Sequence, residues 1–155
     1  MMPKKVRLSG DHAGFKLKEK IKKYFNKKNI FYKDFGPLVY KKTDDYPDYV
    51  IPMAQKVAKD KDSLGIVIAG SGIGETIAAN KVKGIKAVLY HGKSPDLITT
   101  SKLHDNANIL CIGSRFVKKR DAIKSIELWL KTPFSNAARH KRRLRKIDIF
   151  EKKKQ

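Results

Sequence analysis

The chain has 155 residues, 41% of them hydrophobic, which suits a single domain over residues 1–155 and is too short for two well-packed ones. Its 36 basic residues against 15 acidic ones give a net charge of +21, which attracts anions from small phosphorylated molecules to nucleic acids. The single cysteine, Cys111, excludes an internal disulfide framework, and no apolar run approaches the ~20 residues of a membrane span. We therefore expect a cytoplasmic protein without a membrane segment.

Short apolar runs alternate with amphipathic stretches along the chain. The pattern predicts strands at 5–9, 30–35, 64–69, 85–90 and 108–112, and helices at 15–28, 47–59, 75–82, 95–103, 118–130 and about 136–151. Five strands separated by helices are typical of a parallel sheet covered on both faces. We expect the strand order 2-1-3-4-5, with the basic C-terminal helix as an extra element that could pack on a neighbouring subunit.

The segment AGSGIGET, residues 69–76, lies between the third strand and a helix. Its glycines free the backbone, so that N–H groups can converge on an anion at the start of the helix. Glu75 occupies the place of the third glycine in a dinucleotide-binding fingerprint, and Glu75-Thr76 stands where a P-loop needs Lys-Ser/Thr. Both motifs are therefore excluded, and a tight turn without a ligand is the alternative to an anion site.

Glu75 is the candidate catalytic base. A carboxylate at the start of a helix is ordinarily a partner of the helix dipole. Beside converging N–H groups it suits enediolate chemistry, in which the carboxylate removes a proton next to a carbonyl while the N–H groups stabilise the oxyanion. The dipole lowers the pKa of Glu75 and burial raises it, and the sequence leaves the net direction open.

Asp11 and His12 directly follow the first strand. In an open doubly wound sheet, ligands bind beyond the carboxyl ends of the strands, where the strand order reverses. With the expected order, Asp11 and His12 face the glycine loop, Gly70 to Gly74, across that crevice. The alternative for Asp11 is a cap of the following helix.

Three further groups are candidates for the site. His104 and Asp105 precede the fifth strand, and Arg115 follows it. A lone histidine near the end of a helix is more often a partner of the helix dipole than a catalyst. Arg139 and Arg143 are four residues apart, so both project from one helical face and could clamp one phosphate. A solvated basic face is the alternative.

Together these segments resemble the type B ribose-5-phosphate isomerases, of the ribose/galactose isomerase family, over about residues 6–147. The matching motifs are GDHAGF at 10–15, DYPDY at 45–49, GSGIG at 70–74, IAANK at 77–81, HDNAN at 104–108, IGSR at 112–115, and Arg139-His140 with Arg143. The resemblance implies a Rossmann-like three-layer α/β/α sandwich that works as a homodimer or a dimer of dimers, with sites between subunits. It also implies interconversion of D-ribose 5-phosphate and D-ribulose 5-phosphate through an enediolate, with no metal and no cofactor.

The resemblance also implies a role for each site residue. Glu75 resembles the base that moves a proton between C2 and C1. The backbone cradle for the oxyanion would be Gly70, Ser71, Gly72, Ile73 and Gly74. His104 resembles the acid that opens the furanose ring, contributed by the partner subunit, with His140 as a second candidate. Contacts to sugar hydroxyls or the phosphate would come from Asp11, His12 and Asp105. The phosphate ligands would be Arg115, Arg139 and Arg143.

Two positions depart from the family pattern. Ala69 stands where one branch has a catalytic cysteine, so the glutamate branch applies and Cys111 is expected to be buried filler. Asp105 stands where asparagine is frequent; its carboxylate would repel a phosphate, so it is expected to accept from a sugar hydroxyl. One alternative substrate is another sugar phosphate, such as galactose 6-phosphate, allose 6-phosphate or a tetrose phosphate. An alternative of another class is a basic nucleic-acid-binding protein, although binding could also be a non-specific effect of charge.

Overall fold

The computed structural model describes residues 5–153, so both ends of the predicted domain, 1–4 and 154–155, lie outside the described part. Within it, strands and helices alternate along the chain. Their bounds are β1 (Lys5–Gly10), α1 (Phe15–Lys27), β2 (Tyr32–Asp34), α2 (Pro47–Lys59), β3 (Ser63–Ala69), α3 (Ile73–Asn80), β4 (Ala87–Tyr90), α4 (Pro95–Leu103), β5 (Ile109–Gly113), α5 (Lys119–Lys131) and α6 (Ala138–Lys153). No helix among these is both long and apolar enough to cross a bilayer.

The strands form one parallel sheet, as predicted, but the order of the last two strands was predicted wrong. The observed order is β2-β1-β3-β5-β4, with β5 inside the sheet and β4 at its edge. Every residue of β5 is buried, as a strand paired on both sides and covered on both faces requires. In β4 the side chains of Val88 and Leu89 are only partly buried, which suits a strand that pairs on one side.

Two hydrophobic clusters fill the space between the sheet and the helices on its two faces. Alternate strand residues point to opposite faces. One cluster joins strand residues such as Leu8 and Ile68 to α1, α4 and α5; its largest fully buried members are Trp129 and Phe25. The other joins Val67 and Cys111 to α2 and α3. The chain therefore forms the expected Rossmann-like α/β/α sandwich, with α6 as an additional helix of which only His140 and Leu144 are buried.

The register brings the carboxyl ends of three strands together. Gly10 of β1 pairs with Ile68 of β3, and Ala69 of β3 pairs with Gly113 of β5. The segments that follow these strands therefore lie together where the strands end, called here the carboxyl edge of the sheet, as distinct from an outer strand such as β4. The segment that precedes β5, including His104, lies at the opposite edge. Because β5 has five residues and a parallel strand rises ~3.3 Å per residue, the two edges are about 16 Å apart there.

Candidate active site

The glycine loop follows β3 at the carboxyl edge. Helix α3 begins at Ile73, two residues before the predicted start, and Gly72 is its N-cap with a φ of 77°. A Cβ at Gly72 would lie 2.7 Å from Leu89 Cδ1, so both backbone and packing require glycine there. The N–H groups of Ser71 and Gly72 donate none of the hydrogen bonds recorded among residues 5–153. Two N–H groups at the start of α3 are therefore free to bind an anion.

Glu75 lies in the first turn of α3, and its side chain is buried, with the residue 5% exposed. Burial raises the pKa of Glu75, and the neighbouring Asp11 carboxylate raises it further. The residue's own backbone N–H and the Arg115 guanidinium oppose the rise without cancelling it. The direction that the sequence left open is therefore upward. A raised pKa is the direction that favours a carboxylate acting as a general base.

Asp11 fits both roles that the sequence left open, a cap before the following helix and a residue close to the glycine loop and Glu75. Its Oδ1 accepts the N–H groups of Ala13 at 3.1 Å and Gly14 at 3.2 Å, so it caps the turn before α1. The same side chain is 6% exposed and lies close enough to Glu75 to shift its pKa. This proximity depends on Gly14, because a Cβ there would lie 1.8 Å from the carbonyl oxygen of Ile68 in β3.

Asp44 holds His12, and the sequence analysis missed it. Asp44 Oδ1 lies 2.6 Å from His12 Nδ1 and also accepts the backbone N–H of His12 at 3.2 Å. The Asp44 side chain is 2% exposed, and its Oδ2 has no hydrogen-bond partner within residues 5–153. The sequence offered one indication, because Asp44 directly precedes the DYPDY motif. Asp44 therefore fixes the orientation of the His12 ring, leaving Nε2 free for another partner.

The loop that carries Asp44 is fixed by a buried lysine. Lys18 of α1 is fully buried, and its Nζ lies 2.6 Å from Asp34 Oδ2 and 2.9 Å from the carbonyl oxygen of Pro37. Asp34 Oδ1 in turn accepts the N–H of Gly36 at 2.9 Å. These bonds attach the start of the 35–46 loop to α1 and so restrict where Asp44 can lie.

A basic cavity of about 380 Å³ opens beside His12, lined by His12, Ala13, Lys16, Tyr40, Lys42 and Arg115. Arg115 also packs on the glycine loop, where its backbone N–H donates to the carbonyl oxygen of Gly70 at 3.1 Å. Asp11, His12 and Asp44 offer metal-ligand atoms within 4.8 Å of one another. However, His12 Nδ1 is already bound to Asp44, and the cationic side chains of Lys16, Lys42 and Arg115 lie next to it. The arrangement favours an anion over a metal cation.

A second group of candidate residues surrounds His140. The rings of His104 and His140 lie 4.3 Å apart between centroids. His140 is 3% exposed; Arg139 Nε donates to its Nε2 at 3.0 Å, so Nδ1 carries the proton and donates to Ser135 Oγ at 2.7 Å. Burial lowers the pKa of His140, and the nearby His104, Arg139 and Arg143 lower it further. His140 is thus neutral with both nitrogens bonded, whereas His104 is partly exposed and its ring makes no hydrogen bond within residues 5–153.

The structure therefore divides the predicted site residues between the two edges of the sheet. The group at the carboxyl edge, called here the glycine-loop group, comprises Asp11, His12, Gly70, Ser71, Gly72, Ile73, Gly74, Glu75 and Arg115. The other, called here the His104 group, comprises His104, Asp105, Arg139, His140 and Arg143, of which Asp105, Arg139 and Arg143 are exposed. No hydrogen bond, ion pair or ring contact found within residues 5–153 joins the two groups. One chain alone does not assemble them around one small ligand.

Known proteins share this architecture over nearly the whole chain. The family model described as Ribose/Galactose Isomerase matches residues 6–147. A probable ribose-5-phosphate isomerase B of Mycoplasma genitalium is 42% identical over 146 residues, 94% of each chain.

Solved structures agree with this match. The crystal structure of ribose-5-phosphate isomerase B from Mycoplasma genitalium with bound ribulose 5-phosphate has a TM-score of 0.89 at 41% identity, covering 96% of each chain. Ribose-5-phosphate isomerase B of Clostridium thermocellum has a TM-score of 0.89 at 37% identity, covering 97% of this chain and 99% of that one. With sequence, fold and the glycine loop in agreement, the chain belongs to the ribose/galactose isomerase family.

Proposed function

We propose that this protein interconverts D-ribose 5-phosphate and D-ribulose 5-phosphate through an enediolate, with Glu75 as the base. The observation that carries the proposal is a buried carboxylate of raised pKa in the first turn of α3, the helix whose start presents two free N–H groups. Relatives named ribose-5-phosphate isomerase B, one of them solved with ribulose 5-phosphate, support this choice of substrate.

In the proposed reaction, Glu75 removes the proton from C2 of the open-chain aldose and returns it to C1. The electrons of the broken C–H bond form the C1–C2 double bond, and the carbonyl oxygen becomes the oxyanion. The N–H groups of Ser71 and Gly72 stabilise that charge, and the remaining cradle, Gly70, Ile73 and Gly74, shapes the loop around it. The proton moves from O2 to O1 to complete the ketose. The residues supply both proton transfer and charge stabilisation, so this mechanism requires no metal or cofactor.

We further propose that the working unit is a homodimer, or a dimer of dimers, with each site shared between subunits. The basic cavity beside His12 would take the phosphate, with Arg115 from the same chain. Arg139 and Arg143 of a second copy would complete the clamp, since they lie at the far edge of the sheet in their own chain. His104 of that copy would open the furanose ring; we favour it over His140, because His140 already uses both ring nitrogens.

The other predicted contacts fit the same proposal. Asp11, close to Glu75, would bind a sugar hydroxyl, and Asp105, exposed beside His104, would accept from another. The substrate and the buried free thiol of Cys111 fit a cytoplasmic location.

The test is conversion of ribose 5-phosphate by the purified protein in the presence of EDTA. Glu75→Gln keeps the side-chain volume and removes the base, so we expect kcat to fall by about 10²–10⁴ with little change in substrate affinity. Glu19→Gln, at a half-exposed position of α1 where the carboxylate pairs with Lys22, is the matched control and should keep full activity. Wild-type turnover by Glu75→Gln would remove the glutamate from this role.

Comparing kcat/KM for galactose 6-phosphate, allose 6-phosphate and a tetrose phosphate tests the other sugar substrates. Salt-sensitive DNA binding without any isomerase activity would favour the nucleic-acid alternative.

A further inference from the structure

His91 follows β4 and contacts the glycine loop. Its Nε2 lies 2.6 Å from the carbonyl oxygen of Ser71. A carbonyl oxygen can only accept, so Nε2 must carry the hydrogen of this bond. The ring also packs on Phe116, with 4.6 Å between centroids and 37° between the planes. The contact to the loop is thus a hydrogen bond, and the contact to Phe116 is a separate packing contact of the same ring.

The end of β5 leaves space for this contact. A Cβ on Gly113 would lie 2.6 Å from the carbonyl oxygen of Ser71 and 2.8 Å from Cδ2 of His91. Any other residue at position 113 would force the loop and the ring apart. The bond between His91 and Ser71 therefore depends on close packing of three segments, which follow β3, β4 and β5.

The bond determines which way the next N–H group points. In a trans peptide the C=O of one residue and the N–H of the following residue point in opposite directions. No cis peptide bond occurs within residues 5–153. The Ser71 carbonyl points towards His91 and the end of β5, so the N–H of Gly72 points the other way, away from β5 and β4. Asp11 follows β1 on that side, and β1 is the neighbour of β3 in the sheet.

We infer that His91 is a positioning residue that orients the Ser71–Gly72 peptide, so that the Gly72 N–H faces the developing oxyanion. The inference rests on the proposed isomerase function. His91 does not touch the substrate; it acts through the loop. Fixing the N–H direction in advance removes a reorganisation that the loop would otherwise undergo as charge develops. Loss of the His91 side chain should therefore reduce kcat more than it changes KM.

The test compares three variants in the ribose 5-phosphate assay. His91→Ala removes the donor; loss of a direct oxyanion donor lowers kcat by ~10²–10³, so for this indirect role we expect a loss of about tenfold to a hundredfold, with KM within about threefold. His91→Gln can place an amide N–H near the position of Nε2, so it should recover most of the kcat. Phe116→Leu is the matched control; it removes the ring packing and leaves the donor, so kcat should stay within about threefold of wild type.

A second measurement does not depend on how the variants fold. In ¹⁵N-labelled wild-type protein, NMR of the imidazole nitrogens should show His91 with the hydrogen on Nε2. Observation of the tautomer with hydrogen only on Nδ1 would overturn the inference, as would wild-type kcat in His91→Ala or an equal loss of kcat in Phe116→Leu. A wild-type protein that does not convert ribose 5-phosphate would instead overturn the proposed function, and the positioning role with it.

Discussion

Mixed dimers of two damaged subunits should regain activity, because the glycine-loop group and the His104 group occupy opposite edges of the sheet. One parent carries Glu75→Gln, and the other carries Arg139→Ala together with Arg143→Ala. Each homodimer then has a defect in both of its sites. If each site takes one group from each subunit, as proposed, a mixed dimer has both defects in one site and none in the other.

The expected magnitudes differ widely between the parents and the mixture. Glu75→Gln should lower kcat by about 10²–10⁴. Each arginine contributes on the order of 1.5–3 kcal/mol through a charge-assisted hydrogen bond to phosphate, so losing both should raise KM by at least about a hundredfold. A mixed dimer keeps one intact site of two, hence about half of the wild-type kcat/KM per dimer. The separation of about 16 Å along β5 is what makes this recovery incompatible with a site built from one chain.

The assay uses two different affinity tags, co-expression, and purification through both tags, followed by turnover of ribose 5-phosphate. The matched control pairs Glu75→Gln with Arg115→Ala. Both of those residues belong to the glycine-loop group, so every site of that mixed dimer is damaged and no recovery is expected. Absence of recovery in the first pair, or equal recovery in the control pair, would refute a site shared between subunits.

Three further predictions concern single groups of the site. Because the raised pKa of Glu75 keeps the inactive, protonated form to a higher pH than usual, kcat/KM should fall on its acidic side above the ordinary glutamate range; Asp11→Asn should move that limb to lower pH, and an unmoved limb would contradict the coupling. Asp44→Asn should raise KM about fivefold with little change in kcat, since a neutral amide holds His12 more weakly than a carboxylate; steady-state kinetics checks this, and an unchanged KM would count against it. Burial raises the pKa of Cys111 to about 12, so its thiol should resist modification until the protein is unfolded, and Cys111→Ser should keep full activity.

Much of the fold followed from local patterns, and the order of the strands did not. Pro47 and Pro95 marked the starts of α2 and α4, since proline at the first turn needs no N–H partner. Hydrophobic periodicity reports how a strand is buried and says nothing direct about its neighbour. One clue was in the composition of the predicted strands: the predicted fourth strand, 85–90, contains the charged Lys86, whereas the predicted fifth strand, 108–112, contains no charged residue.

The same distinction applies to the site. The proximity of Glu75, the glycine loop and Asp11 could be predicted, because motif and chain position place them at the ends of adjacent strands. Asp44 and His91 were missed because their contacts join residues 32 and 20 positions apart. No local pattern encodes such a pair; only the packed loops bring them together.

The position of β5 has a consequence for synthesis of the chain. Among the described strands, β4 pairs only with β5, and β5 is the later of the two in sequence. While the ribosome has released only the first 100 or so residues, β1, β2 and β3 can already pair, because domains fold from the N-terminus onward during translation. The segment Ala87–Tyr90 must wait beside an unfilled gap until Ile109–Gly113 emerges. We expect its hydrophobic side chains to remain accessible to chaperones until then.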